Sequence, residues 1–266
     1  MNHDELTHLD LFSGIGGFAL AANAAGFRTV GFCEIEPYAQ QVLREKFHTY
    51  SKPERLQGST GEGLSGTGGA SIKSPRLHSD IYKLDGRDYA GVTVLTGGFP
   101  CQPFSVAGQQ RGAADDRHLW PEMLRVIKEA RPTWIIGENV PGIIPMELDN
   151  CISGLEACGY EVQPLVIPAC AVDAKHRRDR LWILAHRANE RSPRRNAGNE
   201  YAGDVGQPPY AWKNEEQWFA ESGMGRVANG IPARVDRLKG LGNAIVPQVA
   251  EPFFHWIRQI EQGEIT

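Results

Sequence analysis

Leu6-Thr7-His8-Leu9-Asp10-Leu11-Phe12-Ser13-Gly14-Ile15-Gly16-Gly17-Phe18-Ala19-Leu20-Ala21-Ala22 decides the fold class. Leu6 to Phe12 reads as a strand, Ser13 to Gly17 as a glycine turn, and Phe18 onward as a helix that Gly26 can cap. Strand, glycine turn and helix N-terminus together turn backbone N–H groups toward a ligand. Alone, such a turn is weak evidence for a nucleotide site. The next strand, Thr29 to Cys33, ends in Glu34-Ile35-Glu36, which places an acid about 20 positions after the turn, where it can hold ribose hydroxyls. A solvated strand end is the plain alternative for Glu34; with the glycine turn, the pattern points to a pocket that contains a ribose.

Downstream, the chain continues to alternate strand and helix. Pro37 to Phe47 is a helix with proline in its first turn. Residues 51–79, rich in Gly, Ser and Thr, read as a flexible insertion. Asp80-Ile81 then follows a third strand; the acid suits an adenine amino group and the isoleucine its ring, though a turn aspartate explains the pair as well. Val92 to Thr96 is a buried strand, His118 to Ala130 a helix, Thr133 to Gly137 the fifth strand, Glu147 to Cys158 a helix ending at Gly159, and Tyr160 to Ile167 and Leu181 to Ala185 further strands. From about His186 to Pro232 the periodicity fades, with Trp212 and Trp218 as anchors, and Gly240 to Glu261 reads as a last amphipathic helix. The expected organisation is a domain over 1–185, a small irregular region over 186–241, and a C-terminal helix over 242–266 that returns to the first domain. The expected class is α/β, a doubly wound, mostly parallel Rossmann-like sheet.

The chemistry is concentrated in Gly97-Gly98-Phe99-Pro100-Cys101-Gln102-Pro103-Phe104-Ser105. A strand leads into two glycines, and Cys101 then stands between prolines on a stiff turn at the strand's C-terminal end, where open α/β sheets bind ligands. A buried structural cysteine is the plain reading of an isolated Pro-Cys pair. Two other elements argue against it: Glu138-Asn139-Val140 at the end of the fifth strand, and His176-Arg177-Arg178-Asp179-Arg180, whose alternating arginines project to one side if extended. Val106 to Arg117 is polar and glycine-punctuated, as a mobile lid would be.

Composition bounds the alternatives. Five cysteines without a CxxC pair argue against a disulfide framework or zinc site and for a reducing compartment. No apolar run approaches the ~20 residues of a bilayer span, and the polar start does not resemble a signal peptide. Net charge is −4, so nucleic-acid contact must rest on local clusters such as Lys175, Arg177, Arg178, Arg180, Arg187, Arg191, Arg194 and Arg195.

A thiol, an acid and arginines at one sheet edge suit a reaction in which a thiolate adds to C6 of a pyrimidine, making C5 nucleophilic, while the acid at N3 and a guanidinium at O2 neutralise the developing charge. At this point the chain resembles the DNA (cytosine-5)-methyltransferases, in the compact form of phage and prophage enzymes. The resemblance is carried by Asp10 to Phe18, Pro100-Cys101-Gln102, Glu138-Asn139-Val140, Arg178-Asp179-Arg180, and Gly242-Asn243 with Pro247-Gln248. It covers the chain outside 51–79 and 186–232.

The resemblance implies S-adenosylmethionine as cofactor, with Phe12, Ser13, Gly14, Ile15, Gly16, Glu34, Ile35, Asp80, Ile81, Pro100, Asn243 and Ala244 around it. It implies Cys101 as nucleophile, Glu138 at N3 and Arg180 at O2. Arg178 would support the site or a phosphate, and Asn139 would order the loops. Double-stranded DNA is the implied partner, met by Ser105, Gln109, Gln110, Arg111, Arg177 and Arg187. Base flipping is implied as well, because C5 is inaccessible in a duplex. A monomer in the cytoplasm of a bacterium or phage-infected host, without metal or membrane, completes the expectation. The region before Gly242 is short and matches the family only in part. A tRNA-methylating relative would carry a Cys-Phe-Thr motif, absent here, and a zinc deaminase would need a second cysteine after Pro100-Cys101. A non-catalytic relative would have lost Cys101, Glu138 or Arg180, and all three are present.

Overall fold

The computed structural model describes residues 5–50, 74–100, 118–175, 177–187 and 244–265. Its centre is a seven-stranded sheet of order β3-β2-β1-β4-β5-β7-β6. The strands are β1 (Thr7–Leu11), β2 (Arg28–Cys33), β3 (Arg76–His78), β4 (Val94–Gly97), β5 (Trp134–Asn139), β6 (Tyr160–Pro168) and β7 (Asp179–Arg187). The pairs from β3 to β5 are parallel, whereas β7 lies antiparallel between β5 and β6. Six strands therefore point one way and β7 alone is reversed. The expected doubly wound, mostly parallel sheet is what the chain forms.

Strand alternation feeds two cores. Leu9, Leu11, Leu95, Ile135 and Ile183 face one layer, covered by α3 (Trp120–Ala130) and α4 (Ile144–Glu156). Val94, Trp134, Ile136 and Trp182 face the other, covered by α1 (Gly17–Ala24) and α5 (Pro247–Glu261). In α3, Trp120, Met123, Val126, Ile127 and Ala130 are buried, the spacing of one helical face. The α2 helix (Pro37–Phe47) packs Leu43 and Phe47 against Ala19, Phe32 and Leu77.

Several boundaries differ from expectation. The insertion drawn over 51–79 ends too late: Arg76–His78 pairs with β2 in register Gly31↔Arg76 to Cys33↔His78. A three-residue strand has no periodicity of its own to read, so its partner defines it. The helix expected from Glu147 begins at Ile144, because Pro145 suits a first turn. The last helix begins at Pro247 for the same reason, not near Gly240. β7 runs to Arg187, past the boundary drawn at residue 185. The expected lid over 106–117, and all but the first two residues of the region over 186–241, lie outside the described residues, as do 51–73.

Candidate active site

At the C-terminal end of β1 the chain makes two sharp turns. Phe12 and Gly14 both adopt φ +53 and Gly16 φ +89, a left-handed run that lets the backbone double back before α1. Ser13 anchors it: its N–H donates to the Cys33 carbonyl (3.0 Å) and its hydroxyl to the Asp10 carbonyl (2.7 Å). Glu34, buried at the end of β2, accepts from the Gly14 N–H (2.6 Å) and the Glu36 N–H (2.8 Å). Burial pushes its carboxyl above the usual range against those bonds. A Cβ added at Gly14 would meet nothing within 4 Å, so the turn opens onto space beside Glu34. Ile15 is half-buried in the same turn. Ile35 is 74% exposed, an apolar face beside the acid.

Ile81 does not present such a face. Its side chain is buried in the core, while Asp80 caps the short turn Ile81–Lys83 by accepting from the Tyr82 N–H (2.9 Å). The exposed apolar side chain at this rim is Ile35, and Asp80 stands just after the end of β3.

Beneath the turn runs a buried polar chain. The Thr96 hydroxyl donates to Asp10 Oδ1 (2.9 Å), so His8 Nε2–H donates to Thr96 (2.8 Å), and the Thr29 hydroxyl donates to His8 Nδ1 (3.0 Å). Burial pushes His8 down to about 3 and holds it neutral.

Two strands away, the β5 end carries the second cluster. Glu138 is buried, with Arg180 Nε 2.8 Å from its Oε1. Burial raises its carboxyl, and Arg180 and Arg178 reduce that rise without cancelling it. A Cβ added at Gly98 would stand 3.2 Å from Glu138 Oε2, so the strand that leads to the cysteine turn passes directly beside the acid. Asn139 fastens the two together: its Nδ2 donates to the Phe99 carbonyl (2.8 Å), and its Oδ1 accepts from the Val140 N–H (2.9 Å). Pro100 is exposed and its carbonyl accepts from the Leu119 N–H (3.3 Å).

The arginines separate by position. Arg180 and Arg178 line a pocket with Glu138, Trp182, Ile167 and Ala169 at the end of β6, Ile245 and Val246 just before α5, and Val249 in it. Arg178 leaves the extended conformation (φ +35) and donates to the Ala244 carbonyl (2.7 Å), which ties the approach to α5 to this edge. Arg177 is exposed and paired with Asp179. Arg187 is not brought to this edge. Because β7 is reversed, Trp182 stands opposite Glu138 while Arg187 lies at the opposite end, its N–H on the Thr133 carbonyl. Cys101, Ser105, Gln109, Gln110, Arg111 and Asn243 lie outside the described residues. Arg125 of α3 was not singled out in the sequence; its spacing in Glu122-x-x-Arg125-x-x-x-Glu129 was the available signal.

The sheet order with one reversed strand, and the glycine turn facing an acid, define the class: a Rossmann-like methyltransferase fold. Solved structures share that fold, among them a putative DNA modification methyltransferase encoded within an E. coli prophage (TM-score 0.51, 22% identity, 69% of this chain and 47% of that one). Another is a mutant of Spodoptera frugiperda DNMT2 (TM-score 0.53, 21% identity, 73% and 54%). The C-5 cytosine-specific DNA methylase family matches residues 6–57 and 71–217, and the chain belongs to that family. Its relatives include the type II methyltransferases M.AluI of Cellulosimicrobium cellulans (35% identical; 78% of this chain, 39% of the relative) and M.NgoMIV of Neisseria gonorrhoeae (36%; 55% and 39%). An orphan methyltransferase of Bacillus phage SPR is 28% identical (69% and 38%). The chain thus spans less than half the length of these relatives.

Proposed function

We propose that the chain methylates C5 of cytosine in duplex DNA, with S-adenosylmethionine as methyl donor. The observation that carries this is Glu138: a buried carboxyl, raised by desolvation, beside Arg180 and against the strand that delivers Cys101. Burial shifts this carboxyl toward its neutral form, which can donate a hydrogen bond to N3 of a cytosine. We assign its neighbour Arg180 to O2, and Arg178, bonded to the Ala244 carbonyl, to the support of that arrangement. With both in place, addition of the Cys101 thiolate to C6 no longer builds uncompensated charge on the ring. A free thiol of pKa ~8.5 is mostly protonated at neutral pH. The two guanidiniums favour its ionisation. Once C5 has taken the methyl group, its proton passes to water, and the electrons of the broken C5–H bond re-form the C5–C6 double bond and expel the Cys101 thiolate from C6.

The residues at the β1 and β2 ends fit the cofactor. Gly14 opens onto space, Glu34 offers carboxylate oxygens for a ribose, and Ile35 offers an apolar face. Bound there, the cofactor supplies an electrophilic methyl group. Phe12, Ser13 and Gly16 shape this cradle, Asp80 borders it, and Ala244 and Asn243 belong to the segment that would close it. Duplex DNA requires the base to be flipped out. We assign Gln109, Gln110 and Arg111 to the vacated space, Ser105 to DNA contact, Arg177 to phosphate, and residues 186–241 to target choice, on the family resemblance.

Bisulfite sequencing of plasmid DNA from cells expressing the wild type or Cys101→Ser tests the proposal. Resistant cytosines in a fixed context, with the wild type alone, are the expected result. Resistance that persists with Cys101→Ser refutes the nucleophile. No resistance from folded, cofactor-binding wild type refutes the DNA substrate.

A further inference from the structure

The turn that carries Asp80 is held from outside the sheet by one arginine. Arg125 Nη2 donates to the Ile81 carbonyl (2.7 Å) and Nη1 to the Leu84 carbonyl (3.1 Å). Its fork is oriented by two carboxylates of its own helix, Glu122 at Nε (2.8 Å) and Glu129 at Nη1 (2.9 Å). Glu129 reaches the same segment a second time, accepting from the Gly86 N–H (2.8 Å). The approach is close: a Cβ at Gly86 would lie 2.8 Å from the Val126 carbonyl oxygen. A planar guanidinium makes divergent bonds of fixed geometry, which a lysine ammonium does not. Two such bonds and the Glu129 bond clamp both ends of Ile81–Gly86 onto α3, while Asp80 caps the first turn.

We propose that Arg125 is a positioning residue for cofactor recognition, holding Asp80 and the turn after it where they read the six-position of a purine. This rests on the reading of the β1–β3 edge as the cofactor site. It separates two roles at that edge: Glu34 and the glycine turn hold the ribose, and the Arg125 clamp sets base discrimination. A part that only holds the fold together would weaken all ligands alike. A part that places Asp80 weakens the ligand whose six-amino group Asp80 reads, and spares the analogue that lacks it.

The test is titration calorimetry of the full chain, as wild type, Arg125→Ala and Arg125→Lys, with S-adenosylhomocysteine and with its inosine analogue, which carries oxygen in place of the six-amino group. Wild type should prefer the adenosine ligand. Arg125→Ala should weaken that ligand by about tenfold, equivalent to about 1.4 kcal/mol, and the inosine ligand by less than about twofold, so the preference collapses. Arg125→Lys should restore only part of it. The KM for DNA should stay unchanged. Equal weakening of both ligands, or an unchanged preference in a folded variant, overturns the proposal; if Arg125→Ala fails to fold, Arg125→Lys decides on the same criterion. Wild type that binds neither ligand refutes the underlying site reading, and the proposal falls with it.

Discussion

Replacing Asn139 with alanine should loosen the joint between the acid strand and the cysteine turn, and its cost follows from the contacts. The buried Phe99 carbonyl loses its donor, which costs about 1–3 kcal/mol where the orphaned group stays dry, and the Val140 N–H loses a partly solvated acceptor, about 0.5–1.5 kcal/mol. Together these give about 3 kcal/mol. For a chain of this size each kcal/mol moves Tm by about 2–4 °C, so Asn139→Ala should melt about 6–12 °C lower. Methyl transfer at a temperature where the variant is folded should fall further than folding alone explains, because an error of about 1 Å at a reacting group costs about a hundredfold. Asn139→Asp divides the two bonds: it retains the acceptor for Val140 but sets oxygen against the Phe99 carbonyl. Differential scanning calorimetry with a single-turnover methylation assay would read both quantities. An Asn139→Ala protein with wild-type Tm and wild-type turnover would refute the argument that this side chain couples the strands.

Two further outcomes follow from buried contacts. His8 is held down to about 3 in the folded chain, against about 6.5 when unfolded. Between those values the unfolded chain binds a proton that the folded chain refuses, so the stability from His8 is present above pH ~6.5 and lost as pH falls. The advantage of wild type over His8→Gln, measured by urea denaturation, should shrink by about 2 kcal/mol from pH 7 to pH 5, and a constant gap would contradict a neutral His8. Gly31→Ala would place a Cβ 2.5 Å from the Tyr89 hydroxyl, which is bonded to His78 (2.7 Å). It should cost about 1–3 kcal/mol by overpacking. Since the Tyr89 ring carbons lie as close (2.6 and 2.7 Å), the whole ring must go to relieve it. Gly31→Ala/Tyr89→Ala should therefore lose less than the two changes summed, whereas strict additivity would mean that the strand shifts rather than the tyrosine.

What was legible in the sequence was whatever has its own periodicity or punctuation. β1, its glycine turn and α1 could be read because left-handed turns demand glycine and buried parallel strands demand apolar runs; even so, Phe12 takes a left-handed φ without being glycine. α2 matched residue for residue, with proline marking its start. A third strand was expected just before Asp80, but its bounds could not be read in Arg-Leu-His, because its identity as a strand comes from β2. The buried chain from Thr29 through His8 to Asp10 was equally hidden, since each member is an ordinary residue of a different strand and only the register brings them together. Ile81 and Ile35 looked alike as apolar residues after an acid, and only burial distinguishes them.

The reversal of β7 explains why the candidate site forms where it does. A strand parallel to β5 would begin at the far edge and carry Arg178 and Arg180 away from Glu138. Running antiparallel, β7 begins at the edge where β5 ends, so the approach to a strand and the end of another supply opposite charges to one place. The register then sets Trp182 directly opposite Glu138, on the same face of the sheet, and the two line one pocket. Arg180, which pairs with the acid, and Trp182, its cross-strand neighbour, are thus two apart on a single strand. Burial and the Arg180 charge act in opposite directions on the acid, and burial prevails. The same reversal removes Arg187 from the site, because nine residues along a strand lead to the other edge of the sheet. Seven positions separate Arg180 from Arg187 in sequence, but the direction of one strand decides that the first faces the acid and the second does not.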